Sequence, residues 1–205
     1  MFQVRFHGRG GQGVVTAAEL LAAAAFSEGR YAQAFPSFGS ERMGAPVMSF
    51  CRIGTRPIRT REPVTEPDAL VIQDPTLLHE ADLFAGLGRE GYVLVNSARD
   101  FGQLGLDELA ARHHSDRLLV VPASALAMTH LGRPLPGAPM LGGLAALTGA
   151  VGLTGAVGLA AVLAAISERF TSKVAEGNAA AARAAFTFVT EERQALQPRK
   201  VSTDA

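Results

Sequence analysis

The chain has 205 residues, with 19 Lys and Arg balanced by 19 Asp and Glu, and 48% of the residues are hydrophobic. Nucleic-acid binders need an excess of cations, and disordered chains combine high net charge with few apolar residues, so this composition excludes both classes. The length predicts one domain with a substantial core. The one cysteine, Cys51, excludes a disulfide framework, a CxxC metal site and an iron–sulfur ligand set within this chain.

The first third of the chain alternates between strand and helix patterns. Residues 2–6 alternate apolar and polar side chains, which predicts a strand, and residues 14–26 have helical apolar spacing. A second strand is predicted at 31–35. A third, at 47–53, is predicted to turn back onto residues 56–60 as an antiparallel hairpin.

The rest of the chain continues this alternation and then becomes helical. Short apolar segments predict buried strands at 69–73, 92–95 and 118–121. Helices are predicted from Pro75 to about Gly86, at 106–113 and 124–131, and from Met140 to about Glu192. Strands that are apolar on both faces indicate a parallel sheet covered on both sides. We therefore predict an open, mostly parallel α/β sheet with an added antiparallel hairpin and a helical C-terminal part, as one domain over 1–192 followed by a tail, 193–205.

An uncharged segment covers residues 134–167. Its length permits a transmembrane helix, but it is rich in Gly, Ala and Thr and three prolines interrupt its start. We interpret it as a buried helical region that is covered by the rest of the protein or by a partner. Within it, residues 147–152 are repeated identically as 153–158, a local duplication to which we assign no chemistry. No secretory signal is visible at the N-terminus.

A glycine-rich turn joins the first strand to the first helix, and Gly8, Gly10 and Gly13 fit G-x-G-x-x-G. Such glycines let a ligand approach the backbone, where the free N–H groups of the helix N-terminus attract anions. Dinucleotide binding also requires an acid at the end of the second strand, but residues 33–36 contain none and Glu28 precedes that strand. NAD binding is therefore disfavoured. A turn that only lets the helix pack on the sheet remains the alternative.

The loop over residues 35–45 combines glycines, phenylalanines and charged side chains beyond the end of a strand. In open parallel sheets ligands collect at this edge, so the loop suits a ligand or partner surface. Arg42 can bind a phosphate or carboxylate, or it can form a solvated ion pair with Glu41. The candidate ligand-binding residues are those of the turn and the loop: Gly8, Arg9, Gly10, Gly11, Gln12, Gly13, Ser37, Phe38, Gly39, Glu41 and Arg42.

Several further motifs accompany the turn in a fixed order. They are HGRGGQGV at 7–14, YAQAFPSFG at 31–39, ER at 41–42, GAPV at 44–47, VIQDPTL at 71–77, GRP at 132–134, MLG at 140–142 and ERF at 168–170. Together they closely resemble the gamma subunit of 2-oxoacid:ferredoxin oxidoreductases, the pyruvate type in particular, over nearly the whole chain.

The resemblance implies a Rossmann-like subunit of a cytoplasmic enzyme complex. Such complexes convert a 2-oxoacid to acyl-coenzyme A and CO2 and pass two electrons to ferredoxin or a similar acceptor. The resemblance also implies that thiamine diphosphate with Mg²⁺ belongs to the alpha and beta subunits, and that [4Fe-4S] clusters belong to the beta subunit and to a ferredoxin-like delta subunit. The gamma-type chain is then expected to assemble the complex near the coenzyme A path, with no metal, no catalytic residue and no activity of its own.

The chain departs from the family pattern at three places. Met43 stands where members often carry Arg, Gly137 stands where an Asn is common, and the repeat at 147–158 looks like an insertion. The GAPV segment is more similar to the pyruvate and branched or aromatic 2-oxoacid types than to the 2-oxoglutarate type. Two other functions stay open at this point: a stand-alone nucleotide-binding oxidoreductase and a purely structural subunit.

Other polar residues have ordinary structural interpretations. His7 can act as an acid or base, but a strand-end histidine with a satisfied ring is the simpler interpretation. Cys51 is predicted to be a small core residue. The histidine pair at 113–114 has no carboxylates at the spacing of metal ligands, so no metal site is predicted there. Asp74 and Asn96 follow strands, where they line a site or only cap the next helix.

Four arginines, at 52, 56, 59 and 61, concentrate positive charge on the predicted hairpin. A solvated face is the ordinary interpretation. A hairpin that stands out from a sheet is also a natural docking edge, and we hypothesise that it contacts a partner subunit.

Overall fold

The computed structural model describes residues 1–37, 43–79, 83–149 and 157–196. One six-stranded sheet lies at its centre, in the order β2-β3-β1-β4-β5-β6. The strands are β1 (Phe2–Arg9), β2 (Tyr31–Pro36), β3 (Pro46–Gly54), β4 (Ala69–Ile72), β5 (Tyr92–Asn96) and β6 (Leu118–Val121). The helices are α1 (Val14–Ser27), α2 (Asp107–Arg112), α3 (Ala123–Leu131), α4 (Gly137–Gly149), α5 (Leu159–Arg169) and α6 (Ser172–Leu196).

The sheet is mostly parallel, which confirms the predicted fold class. Strands β1, β4, β5 and β6 run in the same direction, whereas β3 is antiparallel to both of its neighbours, β1 and β2. The predicted pairing of β3 with residues 56–60 is wrong. Tyr31 and Phe2 pair with Gly54 and Ile53, so both edges of β3 are already occupied, and the hairpin is formed by β2 and β3.

Buried arginines fix the segment that was predicted to be the hairpin's second strand. Arg52 was expected on a solvated face, but it is only 4% exposed. Its guanidinium lies 5.1 Å from the centre of the Phe35 ring and donates to the Glu62 carbonyl at 2.7 Å. On β1, Arg5 likewise donates to the carbonyls of Leu83 and of other loop residues. The guanidinium groups of Arg5 and Arg52 thus donate hydrogen bonds to backbone carbonyls that strand pairing would otherwise satisfy.

The two faces of the sheet are covered differently. Phe2, Val4 and Phe6 face a core formed with α1, α4, α5 and α6. The other face carries a smaller core around Leu70 and Val95, under short turns and loops. The helix predicted from Pro75 to about Gly86 is wrong as a continuous element. The structure has a 3₁₀ turn over Pro75–His79, residues 80–82 lie outside the described part, and residues 83–86 form a turn.

Helix α4 is the most deeply buried helix in the described structure, and it begins the uncharged segment. Almost all of its side chains are inaccessible, packed between the sheet and α6. For α4 this confirms the interpretation of a buried helical region that the rest of the protein covers, whereas α5, in the same segment, keeps several exposed residues. In the described ranges no helix is long and apolar enough to span a membrane. Residues 150–156 of the repeat lie outside the described residues, and α6 ends at Leu196, beyond the predicted end near Glu192.

Gly142 allows α4 and α6 to touch backbone to backbone. A Cβ atom at this position would lie 2.0 Å from the carbonyl oxygen of Ala182. Real Cβ contacts do not approach this distance, so any side chain would force the two helices apart. Glycine is therefore required here by packing, although it is a poor helix former.

We expect Gly142→Ala to destabilise the fold by about 3 kcal/mol, because overpacking outweighs the gain in helix propensity. Urea unfolding followed by circular dichroism measures the change. Gly149→Ala, in the same helix with no described neighbour within 4 Å of the added Cβ, is the matched control and should leave stability unchanged or slightly raised. Equal stability of the two variants would contradict the packing argument.

Candidate functional site

The glycine turn leaves β1 and enters α1 through two residues with left-handed backbone. Gly11 has φ +93° and Gly13, which precedes the first turn of α1, has φ +75°. Gly8 is required for space, since a Cβ there would lie 2.6 Å from a methyl carbon of Val14. The first N–H groups of α1 have no intrahelical partner, which follows from helix geometry. They form an electropositive end that faces the turn.

A polar network underneath the turn fixes its shape. Gln12 accepts a hydrogen bond from the Arg9 N–H at 2.8 Å and donates to Asp74 Oδ2 at 2.7 Å. Asp74 Oδ1 accepts from the backbone and hydroxyl of Thr76, at 2.9 and 2.6 Å. Arg9 lies 3.5 Å from the Asp74 carboxylate and also donates to the Thr76 hydroxyl. Side chains of Asp74 and Thr76, which follow β4, therefore hold the turn in place in addition to backbone pairing.

The carboxylate of Asp74 is kept charged by this network. Burial alone would raise the pKa of Asp74, but hydrogen bonds from Thr76 and Gln12 and the charge of Arg9 lower it below its ordinary value. Asp74 thus caps the 3₁₀ turn that follows β4 and braces the glycine turn. The capping interpretation of Asp74 is confirmed, and the residue lines neither of the two cavities beside the turn.

Asn96 at the end of β5 has a capping role. Its Oδ1 accepts from the Ser124 N–H at the start of α3, at 3.0 Å, and its Nδ2 donates to the Gln73 carbonyl at 2.8 Å. The side chain therefore connects the ends of β4 and β5 to the start of α3 and not to α2, the helix that follows β5 in the chain. Its polar atoms are engaged in these bonds, which accounts for its burial.

The segment before β3 forms one wall of the turn. Gly10 donates to the Ala45 carbonyl at 2.9 Å and accepts from the Gly44 N–H at 3.1 Å. Met43 is 87% exposed and lies over Gly11. A cavity of about 400 Å³ opens between this wall and the start of α1, lined by Arg9, Gly10, Gly11, Gly13, Val14, Val15, Thr16, Met43 and Val47.

The structure describes only some of the candidate residues that were predicted in the loop over residues 35–45. Ser37 donates its N–H to the Met48 carbonyl at 2.9 Å and so extends the pairing of β2 with β3. It does not line the 400 Å³ cavity. Phe38, Gly39, Glu41 and Arg42 lie outside the described residues. The structure thus brings Arg9, Gly10, Gly11 and Gly13 together, with Gly8 and Gln12 in support.

A second cavity, of about 340 Å³, lies on the other side of the turn. It shares Gly11, Gly13 and Thr16 with the first and reaches between α1, α4 and α6. Leu20, Leu135 and Phe170 give it an apolar lining. Sequence reasoning did not assign its other polar lining residues, Arg133 and Asn178, to the site, because they follow the turn by more than a hundred residues. Arg133 was noted only within the GRP motif at 132–134, and Asn178 lies in no motif.

The surroundings of the remaining candidate residues, the histidines and Cys51, do not favour a catalytic or metal-binding role. The His7 ring accepts a hydrogen bond from Arg5 Nε at 3.0 Å, and burial with the neighbouring Arg5 charge lowers the pKa of His7 to about 3. His7 is therefore neutral and unsuited to acid–base work near neutral pH. Cys51 is fully buried, and burial raises the pKa of its thiol. His114 contacts Glu90, but no group of metal-ligating side chains occurs among the described residues.

Comparison with known proteins gives one consistent result. The model of the family described as pyruvate ferredoxin/flavodoxin oxidoreductase matches residues 3–188. The common gamma subunit of pyruvate/ketoisovalerate oxidoreductases from Pyrococcus abyssi is 45% identical over 91% of this chain and 96% of its own length. Pyruvate synthase subunit PorC from Methanothermobacter marburgensis is 46% identical over the same shares.

Solved structures agree with the sequence relatives. The crystal structure of pyruvate oxidoreductase subunit PORC from Thermotoga maritima has a TM-score of 0.74 and 36% identity, covering 91% of this chain and 95% of that one. The gamma subunit of a keto/oxoacid ferredoxin oxidoreductase from Geobacter sulfurreducens has a TM-score of 0.67 and 25% identity, covering 96% and 98%.

We expect Asp74→Asn to lower stability at neutral pH by about 1–2 kcal/mol, because charge-assisted hydrogen bonds are lost. Since the folded-state pKa of Asp74 lies below the ordinary value of 3.8, its contribution is complete above about pH 5 and is lost as the pH falls through the folded-state pKa. Unfolding of wild type and variant at several pH values measures this. Glu191→Gln, on the exposed surface of α6, is the control. A difference that persists unchanged at the lowest pH would contradict the assignment.

Proposed function

The chain belongs to the pyruvate ferredoxin/flavodoxin oxidoreductase family as a gamma-type subunit, active through its complex, and from this premise we propose a specific role for it. It completes a thiamine-diphosphate- and iron–sulfur-dependent 2-oxoacid oxidoreductase together with alpha, beta and delta subunits in the cytoplasm. There it assembles the complex and supplies part of the surroundings of coenzyme A. The complex converts a 2-oxoacid to acyl-coenzyme A and CO2, with electrons going to ferredoxin or a similar acceptor.

The electropositive start of α1 is the observation that carries the coenzyme A role. Unpaired N–H groups at a helix N-terminus, in a turn whose glycines leave the backbone open, bind phosphate. Arg9 adds a cation at the rim, held in place by Thr76 and the Gly44 carbonyl. Coenzyme A carries phosphates that such a site can hold, and the 400 Å³ cavity gives them access.

The described residues suit assembly of such a complex more than catalysis by this chain alone. The buried His7 is neutral, Cys51 is inaccessible, and no metal-ligating group is present within the described ranges. Thiamine diphosphate and the clusters would then be bound by partner subunits. When bound there, they supply the decarboxylation and the electron transfer.

Substitution of Gly13 tests the coenzyme A role in the reconstituted complex. Valine at this position should raise the KM for coenzyme A about tenfold, because its side chain obstructs the helix N-terminus, while the KM for the 2-oxoacid stays unchanged. Gly29→Val is the matched control, since Gly29 has a similar φ of +77° and also no neighbour within 4 Å, but it lies at the opposite end of α1.

Assays of the isolated chain and of the reconstituted complex distinguish the proposed function from the two alternatives. Activity that appears only after partner subunits are added supports the proposal, whereas reductase activity of the chain alone with NAD(P)H would support a stand-alone enzyme. Full turnover and unchanged coenzyme A affinity in the Gly13→Val complex would leave a purely structural subunit as the better description.

The exposed arginines beside β3 supply a further expectation about assembly. Arg56, Arg59 and Arg61 are exposed and have no ion pair with any described residue, although Arg52 beneath them is buried. The segment that carries them is anchored through the Glu62 carbonyl. Three unpaired cations on an anchored segment suit an acidic surface of a partner subunit.

Charge reversal of Arg59 and Arg61 to Glu should therefore weaken assembly about tenfold at low salt, with the loss shrinking as salt screens the charges. Analytical size exclusion of the mixed subunits measures this. The double variant Arg89→Glu and Arg99→Glu, also on the exposed surface, is the control for net charge. Unchanged assembly by the Arg59/Arg61 variant would remove the segment from the interface.

A further inference from the structure

The 340 Å³ cavity has properties that the proposed coenzyme A role does not use. Two helices begin at its wall. Gly13 and Thr16 belong to the start of α1, and Gly137 and Ala138 belong to the start of α4. The two ends are close, since a Cβ at Gly137 would lie 3.5 Å from the Gly13 carbonyl oxygen. Their N–H groups and their dipoles both favour an anion in this cavity.

The charged residue in the cavity lining is a cation, which matches an anionic ligand. Arg133 lines the cavity and is exposed, and its guanidinium forms no ion pair or hydrogen bond with any residue in the described ranges. None of the lining residues is acidic. The charge at the cavity is thus only positive, and a ligand that carries an ammonium group next to its anion would be disfavoured.

A buried amide gives the cavity a second specific feature. Asn178 on α6 lines it and is only 8% exposed. Its Nδ2 donates to the Val174 carbonyl at 2.9 Å, which fixes the orientation of the amide, because a flipped amide would place two oxygens together. Its Oδ1 has no partner among the described residues. The cavity thus contains an oriented acceptor that can receive a hydrogen bond from a donor group of a ligand.

The rest of the lining is apolar and limits the size of the ligand. Ala17, Leu20, Leu131, Leu135, Phe170 and Val174 form most of the wall. A volume of about 340 Å³ lies at the lower end of the range for small-molecule sites, so a small branched or linear aliphatic group fits better than a nucleotide.

We propose that this cavity binds a short aliphatic 2-hydroxycarboxylate. The carboxylate meets the two helix starts and Arg133, the 2-hydroxyl donates to Asn178 Oδ1, and the aliphatic tail fills the apolar part. The matching 2-oxoacid presents an oxygen acceptor to the fixed Asn178 acceptor and binds less well. The site shares the start of α1 with the proposed coenzyme A site, whereas the start of α4, Arg133 and Asn178 line this cavity and not the 400 Å³ one.

Four acids of one carbon skeleton test the assignment by isothermal titration of the full chain. The probes are 2-hydroxy-4-methylpentanoate, 4-methyl-2-oxopentanoate, 4-methylpentanoate and leucine. We expect the hydroxy acid to bind about tenfold more tightly than the other three, because it alone joins one negative charge to a neutral donor. Asn178→Leu should remove this preference while leaving the weak binding of 4-methylpentanoate in place.

Two further variants localise the site. Arg133→Gln should weaken binding of the hydroxy acid about fivefold, whereas Arg183→Gln on the exposed face of α6 should leave it unchanged. Val174 is half exposed, so Val174→Phe fills the cavity without disturbing the core and should abolish binding. The control is Met128→Phe, which enlarges an equally exposed side chain on α3 away from the cavity.

Several results would overturn the proposal. These are absence of binding by all four acids at millimolar concentration, equal binding of the hydroxy and oxo acids, and binding that survives Val174→Phe. Coenzyme A binding that Val174→Phe abolishes would assign the cavity to coenzyme A instead. If Gly13→Val leaves coenzyme A affinity unchanged, the Asn178, Arg133 and Val174 variants still test the hydroxy-acid site, so the two proposals fail separately.

Discussion

The close contact of α4 with α6 is the constraint on which the arrangement of the site depends. Gly142 brings the two backbones together in the middle of α4, and Gly137 brings the start of the same helix to the glycine turn. The position of α4 is thus fixed from two directions. Because α4 carries no charge and almost no exposed side chain, it has no alternative surface to present to water. Packing in the core therefore determines where a helix N-terminus meets the turn.

Much of this fold could be predicted from the sequence, because its strongest patterns are local. Each strand of the sheet was predicted within a few residues, as was the helix after the glycine turn, since alternation and helical periodicity report directly on burial. The glycine turn was predicted for the same reason. Gly11 and Gly13 adopt a backbone that favours glycine, and Gly8 is needed for space, so the residue types themselves carried the signal.

The errors share a different physical origin, which is long-range polar contact. Arg52 looked like a surface residue in a charged run, but stacking on Phe35 and carbonyl acceptors far along the chain bury it. The helix expected after Pro75 is interrupted where Arg5 binds the carbonyls of Leu83 and Ala85. Asn178 and Arg133 meet the turn only in the folded chain. No local pattern records such partners, so propensity and periodicity could not supply them.

The connection between α4 and α5 has a consequence for how this family can change over time. The last residue of α4, Gly149, is exposed, and Glu28 holds the exposed Gly158 by accepting its N–H at 2.8 Å just before α5 begins. The fold holds the described ends of this connection in place, because α4 is packed against α6 and Glu28 binds Gly158. Chain closure between fixed ends depends only weakly on the number of residues that join them, about 0.6 kcal/mol for each doubling. An in-frame duplication at this position of the gene, such as the repeated hexapeptide, is thus only weakly opposed by selection on stability.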